Sequence, residues 1–261
     1  LGAGVAFLNL QMYIALGTTF PEAGGGYLWV RKGLGKFQGF QAGWISWFAH
    51  SAAAGLYALS FGYYAYEAIK IVGGDLGLEL LSLEKVIGVL VVAVLGYLQW
   101  KGSKASGRTG NVIAVLLLAV LGLFIAFGVF KIASGPAESF GNFSPLLPNG
   151  LLGIIAAASF FYIAFEGSEI QVQAGEETNN PKRNIKLGLI ASWAIVSAIY
   201  LLISLVIVAA TRNGGPIWQV LSGWGEGAIT RAAQSFMPFG HLIMVVGGLL
   251  ANLAALNATI Y

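Results

Sequence analysis

Seven runs of mostly apolar residues, each near the length that crosses a bilayer, constrain this chain more than any other feature. They cover approximately 1–20, 38–68, 85–100, 110–131, 150–174, 186–210 and 239–261. A hydrocarbon core takes about 20 such residues per helix. The third run is short and borrows residues from Leu78 onward, and the second is long enough to tilt strongly. With 57% hydrophobic and 10% charged residues, the chain cannot hide its apolar surface from water. A soluble domain carries about 25% charge. Lipid is the solvent that fits. The expectation is an all-α, polytopic transmembrane helical bundle, one membrane domain over 1–261. Because the first run begins at Leu1 and the last ends at Tyr261, a fragment of a longer bundle is expected.

Charge between the runs supports the same map. Arg31, Lys32 and Lys36 follow the first run; Lys101, Lys104 and Arg108 follow the third; Lys182, Arg183 and Lys186 follow the fifth. These alternate along the chain and so face one side. The opposite loops hold Lys70, Lys85, Lys131, Arg212 and Arg231, diluted by Glu67, Asp75, Glu79, Glu84, Glu138 and Glu226. The positive-inside rule puts loops 21–37, 101–109 and 175–185 in the cytoplasm. The net charge of +3 is therefore a matter of topology, and no nucleic-acid partner is expected. The long outer segment from Thr211 to Gly240 contains an amphipathic stretch, Trp218 to Phe236. It predicts a short helix or helix pair on the outer face, either interfacial or an external lid.

There are no cysteines, and the two histidines, His50 and His241, are far apart, so no metal centre is expected. No nucleophile–base pair or phosphate loop is present, so an enzyme and a cofactor are not expected. Gly24 to Gly26 lacks a following Lys-Ser/Thr and a strand, and reads as a permissive turn.

The fifth run is different. Phe160 to Glu169 reads Phe-Phe-Tyr-Ile-Ala-Phe-Glu-Gly-Ser-Glu, with two carboxylates and a glycine near mid-membrane. A charge there costs at least ~2.5–3.5 kcal/mol and normally faces a cavity or a partner. Glu166 and Glu169 are three apart and would repel on one face of a regular helix. Unwinding at Phe165–Gly167 would separate them. The bared peptide groups would then have to line a polar cavity, and a half-helix N-terminus would favour an anionic group there. The plainer reading has both glutamates hydrogen-bonded to neighbouring helices. In the second run, Ser46, His50, Ala53, Ala54 and Tyr57 share one small, polar face, suited to close packing or to a cavity wall.

These motifs carry a resemblance. Phe20 to Tyr27, Phe-Pro-Glu-Ala-Gly-Gly-Gly-Tyr, with Gly35 and Gly39 to Trp44, resembles the first cytoplasmic loop and third helix of the amino acid–polyamine–organocation (APC) transporters. Phe165 to Glu169, then Glu176 to Asn184, resembles their broken sixth helix and the loop after it. Gly247 to Tyr261 resembles their eighth helix. The resemblance implies a LeuT-type inverted-repeat fold, partial here, with the seven runs as helices two to eight. It implies a substrate site near the midplane between helices one, three, six and eight. Ile163, Ala164, Phe165 and Gly167 would line it, with Ala49, His50, Ala53, Ala54 and Tyr57 as the helix-three wall. Glu169 matches a helix-six glutamate linked to proton or conformational coupling. Glu166 departs from the family's usual apolar residue and would select a cationic substrate or bind a proton. Ala251, Ala254 and Leu117 stand where sodium- or lysine-coupled members carry other residues, which favours an exchanger or a carrier coupled through Glu166 or Glu169.

The function expected is secondary active transport of amino acids or related amines across the plasma membrane by alternating access. The alternatives are a polyamine or organic-cation carrier, and a non-transporting membrane sensor or accessory subunit with the same fold.

Overall fold

The computed structural model describes residues 1–74, 80–101, 103–165, 167–212 and 215–260. In chain order the helices are α1 (Gly2–Thr19), α2 (Gly25–Leu34), α3 (Lys36–Gly73), α4 (Leu80–Trp100), α5 (Ser103–Ser134) and α6 (Pro136–Gly141). They continue with α7 (Gly150–Ile163), α8 (Ser168–Gln173), α9 (Pro181–Ala210), α10 (Ile217–Trp224), α11 (Ala228–Gln234) and α12 (Gly240–Ile260). Short 3-10 turns follow α8 at Ala174–Glu177 and α10 at Gly225–Gly227. No strand occurs among the described residues. Leu78, Asp75 and Glu79 lie outside them, so the start proposed for the third run is not described.

Four helices are by themselves long and apolar enough to cross a membrane, over Leu83–Trp100, Gly110–Ser134, Pro181–Ala210 and Gly240–Ile260. This is fewer than the seven runs. Asn9, Gln11, Thr18 and Thr19 dilute α1, and Gln38, Gln41, Ser46, His50 and Ser51 dilute α3. The remaining run is interrupted: α7 stops at Ile163 and the helix resumes only at Ser168.

Segment 21–37 differs from the plain loop expected. It holds the ten-residue α2. Gly24 and Gly25 take positive φ, +117° and +43°, where a side chain would be strained, and turn the chain into that helix. Arg31 and Lys32 fall in its last turn, where cations complement the helix dipole. Their charge, which marked the segment as a loop, is compatible with a short amphipathic helix that buries Trp29. The helix α6 was likewise not foreseen; Pro136 opens it at a position where no amide is needed.

The chain divides into two compact units. In the first, residues 1–49 and 145–201, Leu10, Ile14, Trp29, Val172, Ile185 and Leu189 form one buried cluster. In the second, residues 50–144 and 202–261, one cluster gathers Phe124, Val206, Ala210, Ala233 and Met244. A second gathers Ala58, Val91, Leu95 and Leu256. Within this unit, helices approach closely where side chains are small. A Cβ on Gly88 would lie 3.0 Å from the Ala58 carbonyl, and one on Gly247 would lie 2.8 Å from Val120 Cγ1. In lipid such contacts, not water exclusion, drive helix association. Large apolar side chains such as Val94, Leu116, Leu151 and Leu201 remain exposed, as a lipid-facing surface requires. The stretch around Trp218–Phe236 forms the helix pair α10 and α11, with Ala232 and Ala233 fully buried.

Candidate transport site

The break between α7 and α8 is built by tightening and then by a glycine. Ala164 N–H donates to Phe161 O at 3.2 Å and Phe165 N–H to Tyr162 O at 3.0 Å, bonds one residue shorter than helical ones. Gly167 then takes φ +133°, a conformation closed to residues with a side chain at ordinary cost. Helical bonding resumes when Gln171 N–H reaches Gly167 O at 3.3 Å. Glu166, the acidic residue expected to distinguish this site, lies outside the described residues, as does the side chain of Ile163.

Neighbouring helices hold the break. Asn9 of α1 donates its amide to the Tyr162 hydroxyl at 2.9 Å. From α9, the Tyr200 hydroxyl donates to the carbonyl of Ala164 at 3.1 Å. The Tyr200 ring meets Phe165 edge-on with centroids 5.5 Å apart. Sequence reasoning missed Tyr200: a lone tyrosine in an apolar run reads as lipid-facing, and its position on α9 relative to the break is not legible from spacing.

A cavity of about 100 Å³ adjoins the break. It brings together Ala164, Phe165 and Gly167, with Ser168 and Gln171, and is lined on its other sides by α1 and by Leu189 and Trp193 of α9. Its polar edge is an amide–hydroxyl pair, Gln171 Nε2 donating to Ser192 Oγ at 3.1 Å. The α3 residues are placed differently. Ala49 is exposed in the first unit. His50, Ala53, Ala54 and Tyr57 belong to the second unit and are half-buried. Ala54 and Tyr57 pack there against the Ala58–Val91–Leu95–Leu256 cluster.

Glu169 sits in the first turn of α8. Its Oε1 accepts from Ser46 Oγ at 3.0 Å and from Gln173 Nε2 at 3.4 Å. A Cβ on Gly26 of α2 would stand 3.4 Å from the same oxygen. Further along, Glu176 Oε1 accepts the Ala23 N–H at 3.0 Å, so the turn after α8 and the turn before α2 are fastened together. Beside them Lys32 Nζ lies 2.7 Å from Glu22 Oε1. The Lys32 hydrogen bond holds the Glu22 carboxyl below its usual 4.5. Among the described residues, no group of three or more metal-ligating side chains is assembled.

Comparison with known proteins adds the following. The family model described as amino acid permease matches residues 1–261. The methylthioribose transporter of Bacillus subtilis is 25% identical over 93% of this chain and 53% of its own length. The branched-chain amino acid permease BcaP of Lactococcus lactis is 24% identical over 99% of this chain and 59% of its own. The vacuolar cationic amino acid transporter 8 of Arabidopsis thaliana is 27% identical over 79% of this chain and 35% of its own. The chain thus spans 53% and 59% of the two bacterial relatives' lengths.

Proposed function

This chain belongs to the amino acid permease family, a multi-pass membrane family, and we propose that it is the substrate-handling part of a secondary transporter for amino acids or related amines. Transport proceeds by alternating access, without covalent chemistry, in the plasma membrane, with segments 21–37, 101–109 and 175–185 in the cytoplasm. The observation that carries this reading is the interrupted helix at Ile163–Ser168, with a cavity beside it. Free peptide groups survive at membrane depth only where they face a polar hollow or a donor, and carriers place their substrates at such breaks.

In this reading Ala164, Phe165 and Gly167 contact substrate, with Ile163 and Glu166 as further contributors. Main-chain groups of the break bind the polar ends of the solute and apolar side chains accept its remainder. Glu169, joined to α3 through Ser46, couples the state of α8 to its neighbours. Glu166 points to a cationic substrate as the second reading, a polyamine or organic-cation carrier.

The test is uptake of radiolabelled amino acids by the full-length protein in liposomes, with leucine, arginine and putrescine as competitors. Saturable uptake is expected. Binding without flux would instead make it a sensor, and putrescine as the strongest competitor would favour the second reading.

A further inference from the structure

We propose that Tyr200 is a positioning residue of transport: its hydroxyl holds the broken segment in its unwound form by replacing a hydrogen bond that the break removes. This rests on the transport reading for its functional consequence but not for its geometry.

In an unbroken helix the carbonyl of residue 164 would accept from the amide of residue 168, four positions on. Gly167, with φ +133°, turns the chain away before Ser168 begins α8. An acceptor freed in this way needs a donor or a polar hollow beside it, and hydrocarbon offers neither. Tyr200 supplies it from α9 at 3.1 Å. The ring brings the hydroxyl there with little freedom, since Phe165 meets it edge-on at 5.5 Å and 80°, and Phe161 lies 6.3 Å away. Packing alone would hold the segment poorly, because the cavity occupies one side of Ala164, Phe165 and Gly167. A directed bond tolerates a void beside it; a packing contact does not. The hydroxyl therefore fixes where the Ala164 peptide, and with it the mouth of the break, is presented to a solute.

The assay compares the full-length protein with Tyr200→Phe and Phe161→Leu in lipid nanodiscs. Amide hydrogen exchange over residues 160–172 reports on the break directly. Uptake in liposomes gives KM and maximal rate, and thermal unfolding gives the melting temperature. Removal of one neutral hydrogen bond corresponds to about 2–10-fold. Tyr200→Phe is expected to speed exchange and raise KM by about that factor. The melting temperature is expected to stay near wild type. Phe161→Leu, which disturbs the same ring without touching the hydroxyl, is expected to change exchange in this segment much less. Equal exchange in wild type and Tyr200→Phe overturns the inference even if uptake is strong. So does an effect of Phe161→Leu as large as that of Tyr200→Phe, since packing would then explain both. Faster exchange in Tyr200→Phe with no uptake by either protein supports the clamp and counts against the transport reading instead.

Discussion

The Ser46 hydroxyl donates to Glu169 Oε1 across 3.0 Å, which ties α3 to the short half-helix α8. Ser46→Ala removes this donor and leaves Gln173 Nε2, at 3.4 Å, on the same oxygen. A hydrogen bond to an acidic group contributes about 1–3 kcal/mol. We expect a stability loss of that order, read from thermal unfolding of the full-length protein. Glu169→Gln keeps an acceptor for Ser46 and removes the carboxyl group. If Glu169 couples transport to protons, its pH–uptake profile flattens; an unchanged profile removes it from that role.

A second prediction concerns the close seat of α2 against the start of α3. A Cβ on Gly39 would stand 2.6 Å from Arg31 Cβ and 2.9 Å from Arg31 Cα. Neither atom is the free end of a side chain, so backbone must move. Gly39→Ala is expected to cost about 1–3 kcal/mol. Gly55, on the same helix, meets nothing within 4 Å, and Gly55→Ala is expected to be neutral or stabilising by up to about 1 kcal/mol. Melting curves of the two variants side by side decide it.

Arg212 fastens α6 to the end of α9. It donates to Ala209 O at 2.7 Å, Ser139 Oγ at 2.8 Å and Glu138 Oε2 at 3.1 Å. Ser139 is fully buried, whereas the Glu138 side chain is 76% exposed. Arg212→Met should therefore cost about 1.5–3 kcal/mol by stranding buried acceptors. Glu138→Gln should cost under about 1 kcal/mol, as expected of an exposed ion pair. Similar losses from the two would show that the ion pair, not the buried contacts, does the fastening.

The Glu22–Lys32 pair gives a pH prediction. The folded pKa of Glu22 lies below 4.5 because Lys32 hydrogen-bonds to the carboxylate. A depressed folded pKa means a stabilising contribution that is present above the unfolded value and is lost as pH falls through the folded one. Both groups are exposed enough for salt to screen them. A small melting difference between wild type and Lys32→Met at neutral pH should vanish below the carboxylate range and shrink in high salt.

Much of this architecture can be read from residue order alone, because lipid imposes a simple rule on composition. The described helices overlap the apolar runs, and one run is interrupted between Ile163 and Ser168. The short elements were harder. The helix α2 carries charge at one end and Trp29 in its interior, so its average character is that of a loop. Pro136–Gly141 is too short for any periodicity to register. The partner of the break was invisible for a different reason. Nothing in a stretch such as Ala-Ile-Tyr-Leu-Leu says that its tyrosine points at a carbonyl rather than at lipid. Spacing gave the face of α3 that carries His50, Ala53, Ala54 and Tyr57, but not its setting; Ala54 and Tyr57 pack on a hydrophobic cluster.

The hydroxyl that satisfies Ala164 belongs to a residue 36 positions later in the chain. A ribosome adding 5–20 residues per second makes the acceptor roughly 2–7 s before its donor. During that interval the segment around Gly167 must keep water at its carbonyl or travel as an ordinary helix. The hydrogen bond from Tyr200 can form only once α9 has been made, so this tie across the interruption is added by a later span to an earlier one.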